Sequence, residues 1–456
     1  MIGMNRQSDF RECARLRGAA SKDRYFPMKR KCMFMSFIDE ALDPIRIPRF
    51  VKVRQNFPRP CVPDPAGELR TGLETGRYLD SVAPGMTVAI TAGSRGITNY
   101  PLIIRTLVEA VKRRGGEPFI FPAMGSHGGA TAEGQKNMLA GLGISEETMG
   151  APVRSTMETV RLGTAANGRP VYLDKYADAA DAIIIVNRVK PHTGFRGAVE
   201  SGICKMCAIG MGKQKGADFC HAEGFGHMAE NIPAIAAVTL AKKNVLCCVA
   251  LLENAYHETA QIELMRKDEV LGREPVLLER AWELLAKIQL DEFDVLIMDE
   301  IGKNIAGTGF DTNVVGRYNT PYASGGPKIT RVAALDITDV SHGNGNGLGM
   351  LDVTTMRAYE KFSMEQTYPN AITSTVPLTV KIPMVLKSDR QAIQGCIKTC
   401  NVLDPSKLRL VRIKNTLALD EIEVSEALLP AVAAHSHMEV VGAPYELKFD
   451  ADGNLF

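Results

Sequence analysis

Between Thr87 and Ala140 the chain runs through strand, glycine-bearing loop and helix twice in succession. Thr87–Thr91 and Pro118–Pro122 are short apolar runs. Between them, residues 101–114 place Leu102, Ile103, Leu107 and Val111 on one helical face, and the pattern stops at Gly115-Gly116. Pro101 suits the start of that helix, where an N–H has no intrahelical acceptor. A second helix is expected at about Thr131–Ala140. This alternation forces neighbouring strands to lie parallel, with the helices packed on the sheet faces. A third buried strand is expected at Ala182–Val186, which is wholly apolar. The loops after all three strands then leave one sheet edge, where open α/β sheets place their ligands.

The pattern restarts at Glu292. Strands are expected at 293–298, 332–337 and 408–413, and helices at about 354–362, 389–400 and 425–433. The fold class is therefore α/β, with two α/β domains of mostly parallel sheets and the active site in the cleft between them. The first domain is expected at 35–288 and the second at 289–456, with the last residues packing on the first. Residues 1–34 carry nine basic and three acidic side chains and are expected to be a disordered extension, with Met35 the expected natural start. The formal net charge of +2 gives no strong attraction to nucleic acid or anionic membrane. Ten cysteines in a chain of 456 residues, without a secretory leader or an apolar run of membrane-spanning length, fit reduced thiols in a cytoplasmic protein. The expected partner is a small molecule, not nucleic acid or membrane.

Chemistry concentrates in Asn187–His221, NRVKPHTGFRGAVESGICKMCAIGMGKQKGADFCH. Cys204 and Cys207 form a C-x-x-C, and with Cys220 they would suit a metal or an iron–sulfur cluster; a zinc site, however, needs four ligands, and there is no second C-x-x-C. Lys205 lies in an apolar context, where lost solvation lowers an amine's pKa and makes it a nucleophile or a covalent anchor. His127 and His192 follow predicted strands and share an edge with Arg95, which could clamp a carboxylate bidentately. His221 and His227 share one glycine-rich stretch. Trp282, the one tryptophan, is expected in the core.

Three motifs, AGSRGITNYPLIIRTLVEAV, FPAMGSHGGATAEG and VKPHTGFRGAVESGICK with GADFCH, give the chain from about residue 60 onward a resemblance to the nickel-pincer-nucleotide-dependent lactate racemase family and its 2-hydroxyacid racemase and epimerase relatives. The resemblance implies an isomerase that inverts the Cα of a 2-hydroxy acid by reversible hydride transfer to a nickel-pincer nucleotide. By that likeness His127 and His192 are the catalytic acid/base pair, and Arg95, with Ser94 beside it, binds the substrate carboxylate. Lys205 carries the cofactor covalently, Ser126 and Gly128 contact it, and His221 ligates its nickel. Proteins of cofactor biosynthesis are the implied loading partners. The segment from His192 to Lys205 is about three residues longer than the family pattern. In the second domain the sequence also departs from that pattern, and Lys303, Asn304, Asp311, Asn313 and Arg317 are the replacement candidates for substrate contacts, Lys303 and Arg317 foremost. This polar set suits a sugar acid such as gluconate, with lactate- or malate-like acids as the other candidates. The competing readings are a non-catalytic metal or iron–sulfur protein using Cys204, Cys207 and Cys220, and a synthase or carrier of the cofactor.

Overall fold

The computed structural model describes residues 37–456. The expectations for residues 1–34 and for Met35 lie outside the described residues. From Leu42 to Phe456 the chain forms one compact unit built on two large sheets.

The smaller sheet has the strand order Glu117–Pro122, Thr87–Ala92, Ala182–Arg188, Val245–Glu253, Thr259–Met265. Its first four strands are parallel and the last runs antiparallel at the edge. The three predicted strands are therefore adjacent, and the middle one, Thr87–Ala92, pairs with both others. Helix Tyr100–Arg113 buries Ile103, Ile104, Leu107 and Val111 on one side of the sheet. On the other side, helices Met228–Lys242 and Val270–Leu284 contribute Ile232, Ile235, Leu277 and Leu278 to a second core. Apolar burial on both faces is what makes the strands read as unbroken hydrophobic runs.

The larger sheet has the order Met384–Leu386, Val353–Thr355, Lys328–Ile337, Glu292–Ile301, Leu410–Ile413, Glu421–Ser425, Phe50–Gln55, Met438–Val440. Five strands are parallel, and the last three add antiparallel pairings. Met438–Val440 pairs with Phe50–Gln55, which falls within the expected first-domain range 35–288 but lies in this larger sheet. One expectation is corrected here. Residues 353–355 form a strand where a helix was expected, because Val-Thr-Thr is β-branched and lies parallel beside Lys328–Ile337; the helix begins only at Met356.

Since Phe50–Gln55 precedes the smaller sheet in sequence yet lies in the larger one, the chain passes between the two lobes twice. The two crossings are bonded to each other. Buried Gln55 donates from Nε2 to the carbonyls of Lys287 at 3.2 Å and Leu419 at 2.7 Å, and its Oε1 accepts from the Gln289 amide at 2.8 Å. Gln289 returns a bond to the Asn56 carbonyl at 3.2 Å. Among the described residues no helix is long and apolar enough to cross a membrane.

Candidate active site

The loops after Thr87–Ala92, Glu117–Pro122 and Ala182–Arg188 leave the same sheet edge, as parallel pairing requires. Ser94 and His127 meet through a hydrogen bond between Ser94 Oγ and His127 Nδ1. Burial, then Arg95, Lys303 and Lys205, pull the His127 pKa down to about 3, so the imidazole is neutral. If Nδ1–H donates to Ser94, Nε2 is left as a base.

The loop carrying His127 is fastened from beneath by a buried cation. Lys213 is fully buried in a left-handed backbone conformation (φ 57°). Its Nζ donates to the Pro122 carbonyl at 2.8 Å and to Gln135 Oε1 at 2.5 Å, and faces Asp174 at 3.5 Å. Gln135 in turn donates from Nε2 to the carbonyls of Gly125 at 2.9 Å and His127 at 3.1 Å. Gly128, at φ 64°, lies so close to the next helix that a Cβ would come within 2.6 Å of the Gly134 carbonyl carbon. Its role here is close packing against helix Ala132–Gly141.

His192 is held differently. Its Nδ1 accepts the Gly194 amide at 3.0 Å, which places the proton of the neutral ring on Nε2. Its own amide donates to Glu200 at 2.5 Å. Burial lowers its pKa well below the ordinary range, with Lys205 and Lys190 adding to the effect. The loop is gripped by the larger-sheet lobe. Arg196 donates from Nη1 to the His192 carbonyl at 2.8 Å and from Nη2 to Tyr318 Oη at 3.1 Å, the Ser324 carbonyl at 3.0 Å and Asn313 Oδ1. Its guanidinium also stands over the rings of Trp282 at 4.8 Å and Tyr318 at 5.2 Å. Thr312 Oγ1 donates to the Thr193 carbonyl at 2.7 Å, and the Arg196 amide to the Tyr322 carbonyl at 2.9 Å. Trp282 is thus not a core residue: it is 36% exposed and serves as a platform for Arg196.

The glycine-rich stretch beyond His192 is helical from Ile203 onward. Lys205 ends a short turn, a π-helical turn follows at Met206–Gly210, and helix Lys213–His221 places His221 at its end. Cys204 is buried, and its amide donates to Glu274 at 2.9 Å. Lys205 Nζ has no hydrogen bond or ion pair among the described residues. Burial, then Lys190 and Arg95, bring its pKa down to about 8. His221 Nδ1 donates to the Ala217 carbonyl at 2.8 Å, which leaves Nε2 as a free lone-pair donor. The rings of His192 and His221 lie 6.0 Å and 5.7 Å from Phe225, one on each contact.

Cations dominate the cluster. Arg95 donates from Nη1 to the Lys303 carbonyl at 2.9 Å, and its other donors are free among the described residues. A Cβ on Gly307 would lie 3.0 Å from Arg95 Nη2, so the second lobe closes over the guanidinium there. Lys303 Nζ binds the Gly307 carbonyl at 2.8 Å and Asn370, and burial beside Arg95 brings its pKa down to about 7. Lys190, which sequence reasoning passed over, joins the group; burial and Arg188 lower its pKa to about 8.

The structure thus brings together His127, His192, Arg95, Lys205, His221 and Lys303. Ser94 spends its hydroxyl on His127. Arg317 is not brought to the group: its Nη2 is tied to Asp352 at 2.9 Å and to the carbonyls of Ile329 and Thr330 at 3.3 and 3.0 Å. Asn304 Oδ1 accepts from Thr338 and Ser341, and Asp311 caps a helical turn through the Asn313 amide. Ser126 is placed in the His127 loop, with its carbonyl accepting from the Ala130 amide at 3.2 Å. Cys204, Cys207 and Cys220 are buried free thiols, burial raising all three, that of Cys220 to about 12. Among the described residues no three or more His, Cys, Asp or Glu side chains are grouped to hold a metal ion.

A family model described as the lactate racemase N-terminal domain matches residues 69–224. Both histidines, Arg95, Lys205 and His221 lie within that segment, and Lys303 lies outside. No curated protein matches the chain in sequence at a significant level. Among solved structures, the chain is similar to a protein from Thermotoga maritima at 14% identity and a TM-score of 0.48, over 79% of this chain and 99% of that one. It is also similar to the lactate racemase apoprotein from Thermoanaerobacterium thermosaccharolyticum at 12% identity and a TM-score of 0.47, over 81% of this chain and 99% of that one.

Proposed function

We propose that the chain is a racemase or epimerase that inverts the Cα of a 2-hydroxy acid. The carrying observation is a pair of half-buried imidazoles, kept neutral by their lowered pKa and held in one cation-rich cluster by independent supports. Inversion needs a group on each face that takes or gives the hydroxyl proton, a fixed carboxylate and a hydride sink. Arg95, with free donors beside its bond to Lys303, binds the carboxylate and fixes Cα between the histidines. His127 Nε2 is set to accept the hydroxyl proton. His192 carries its one proton on Nε2 and acts as the acid only as the imidazolium, which requires releasing the Gly194 amide from Nδ1. For the opposite enantiomer the two exchange roles.

The hydride sink is a nickel-pincer nucleotide, and the residues present fit it. Lys205 offers an amine without a partner and with a pKa of about 8, suited to acylation. His221 offers a single imidazole Nε2, and the absence of a clustered ligand set among the described residues suits a metal that brings its other donors with it. When bound, this group supplies reversible acceptance of the Cα hydrogen as hydride. Loading by cofactor-biosynthesis proteins belongs to the same reading.

Inversion at Cα of a panel of 2-hydroxy acids, followed by chiral chromatography on protein supplied with mature cofactor, tests the proposal; a deuterium placed at Cα should be kept in the product, since the hydride returns to the carbon it left. Inversion is expected in the wild type and lost in Lys205→Ala together with the intact-mass adduct. His127→Gln and His192→Gln are each expected to retain the adduct and lose inversion. An adduct without inversion of any 2-hydroxy acid would refute the racemase reading.

A further inference from the structure

Four cations of the cluster, Arg95, Lys190, Lys205 and Lys303, have no carboxylate within ion-pair distance among the described residues. Their neighbours show that this is selective. Arg188 is paired with Glu253, and Arg196 faces Glu200 at 3.6 Å. All four are half-buried, and a cation partly withdrawn from water with no counter-ion of its own is available to an anionic group of the ligand.

On the reading proposed above, three of the four are accounted for. Lys205 would lose its charge when it carries the cofactor as a thioamide, and Arg95 takes the substrate carboxylate. Lys303 is anchored on the Gly307 carbonyl and Asn370. Lys190 remains. Its backbone is fixed by a reciprocal bridge to Ser201, with N–H···O distances of 2.9 and 3.2 Å. Asp311, the second-lobe carboxylate whose charge it feels, is committed to the Asn313 amide and stays outside ion-pair range. Lys190 lies two residues before His192 and shares its surroundings with Arg95 and Lys205.

We infer that Lys190 receives a second anionic group of the substrate, so that the acids this site takes are dianions: 2-hydroxydicarboxylates or phosphorylated 2-hydroxy acids. A lactate methyl would leave the ammonium unpaired. Sugar-acid hydroxyls would bond to it without neutralising it. The inference rests on the racemase reading and narrows its substrate class.

The test uses cofactor-loaded protein and four probes: malate, 3-phosphoglycerate, lactate and gluconate. Binding is measured by calorimetry and inversion at Cα by chiral chromatography. Malate or 3-phosphoglycerate is expected to bind about tenfold to a hundredfold more tightly than either monoanion. Which of the two wins separates carboxylate from phosphate. Lys190→Met should abolish that advantage, and Lys190→Arg should keep most of it. Equal handling of lactate or gluconate, or a dianion preference that survives Lys190→Met, overturns the inference and leaves the racemase reading standing. Loss of the Lys205 mass adduct in Lys190→Met with unchanged substrate preference assigns Lys190 to the cofactor phosphate and also overturns it. Failure of adduct-bearing protein to invert any of a wider set of 2-hydroxy acids refutes the racemase reading itself.

Discussion

His127 and His192 are chemically alike, both half-buried and uncharged, but they are held by different parts of the molecule. The His127 loop is secured within the smaller-sheet lobe by Lys213, Gln135 and Asp174. The His192 loop is held by Glu200 of its own lobe and also by the opposite lobe, through Arg196, Thr312 and the 318–324 segment. The supports of one imidazole therefore lie within one lobe, whereas those of the other are shared between two. On the proposed function, contact between the lobes then bears on one base of the pair and not on the other.

The strongest way to break this comparison is to remove the internal support. Lys213→Met leaves the Asp174 carboxylate buried without its cation, and its Oδ2 already lacks a hydrogen bond among the described residues. We expect a loss of about 3 kcal/mol in urea unfolding, together with loss of inversion at Cα. Arg196→Met should act oppositely, with little change in unfolding midpoint and a fall in kcat of about tenfold to a hundredfold as His192 drifts. Hydrogen exchange at the amides of 193–197 should then rise while that of 125–130 stays protected. Equal loss of protection in both loops would dissolve the distinction.

The acylation step sharpens it further, since Lys205 belongs to neither support. Its pKa of about 8 is below the ordinary lysine value, so the ammonium prevails below that pH and the reactive amine above it. Adduct formation, followed by intact mass, should therefore rise about tenfold per pH unit up to about pH 8 and then level. A flat profile between pH 6 and 8 would contradict the assignment. The smallest expected effect is that of Gly128→Ala. The left-handed backbone and the close approach to Gly134 predict a loss of about 1–2 kcal/mol in thermal unfolding, with His127 function more affected than adduct formation.

How much of this was legible in the sequence depended on range. The apolar runs at Thr87, Pro118 and Ala182 are local patterns, and they place Arg95, His127, His192 and Lys205 on one edge. Val353–Thr355 was misread because three residues beside a helix carry almost no periodicity, and their pairing with Lys328–Ile337 is a tertiary fact. Thr259–Met265, whose apolar residues are interrupted by Gln261 and Glu263, is likewise a strand only because Val245–Glu253 offers an edge. Arg196, Trp282, Lys190 and Lys213 were invisible as a group for the same reason. Arg196, for instance, finds its partners more than a hundred positions away. The extra length between His192 and Lys205, unexplained by the family pattern, contains the arginine that the second lobe grips.

The paired crossings at Gln55 and Gln289 carry a mechanical consequence. Two chain segments, tied side by side by hydrogen bonds from both glutamines, restrict the lobes to bending about the line that joins them and suppress twisting. Arg196 would then return to the same partners after each opening. A single cut in either crossing would leave the lobes connected through the other, while freeing the rotation that the pair forbids.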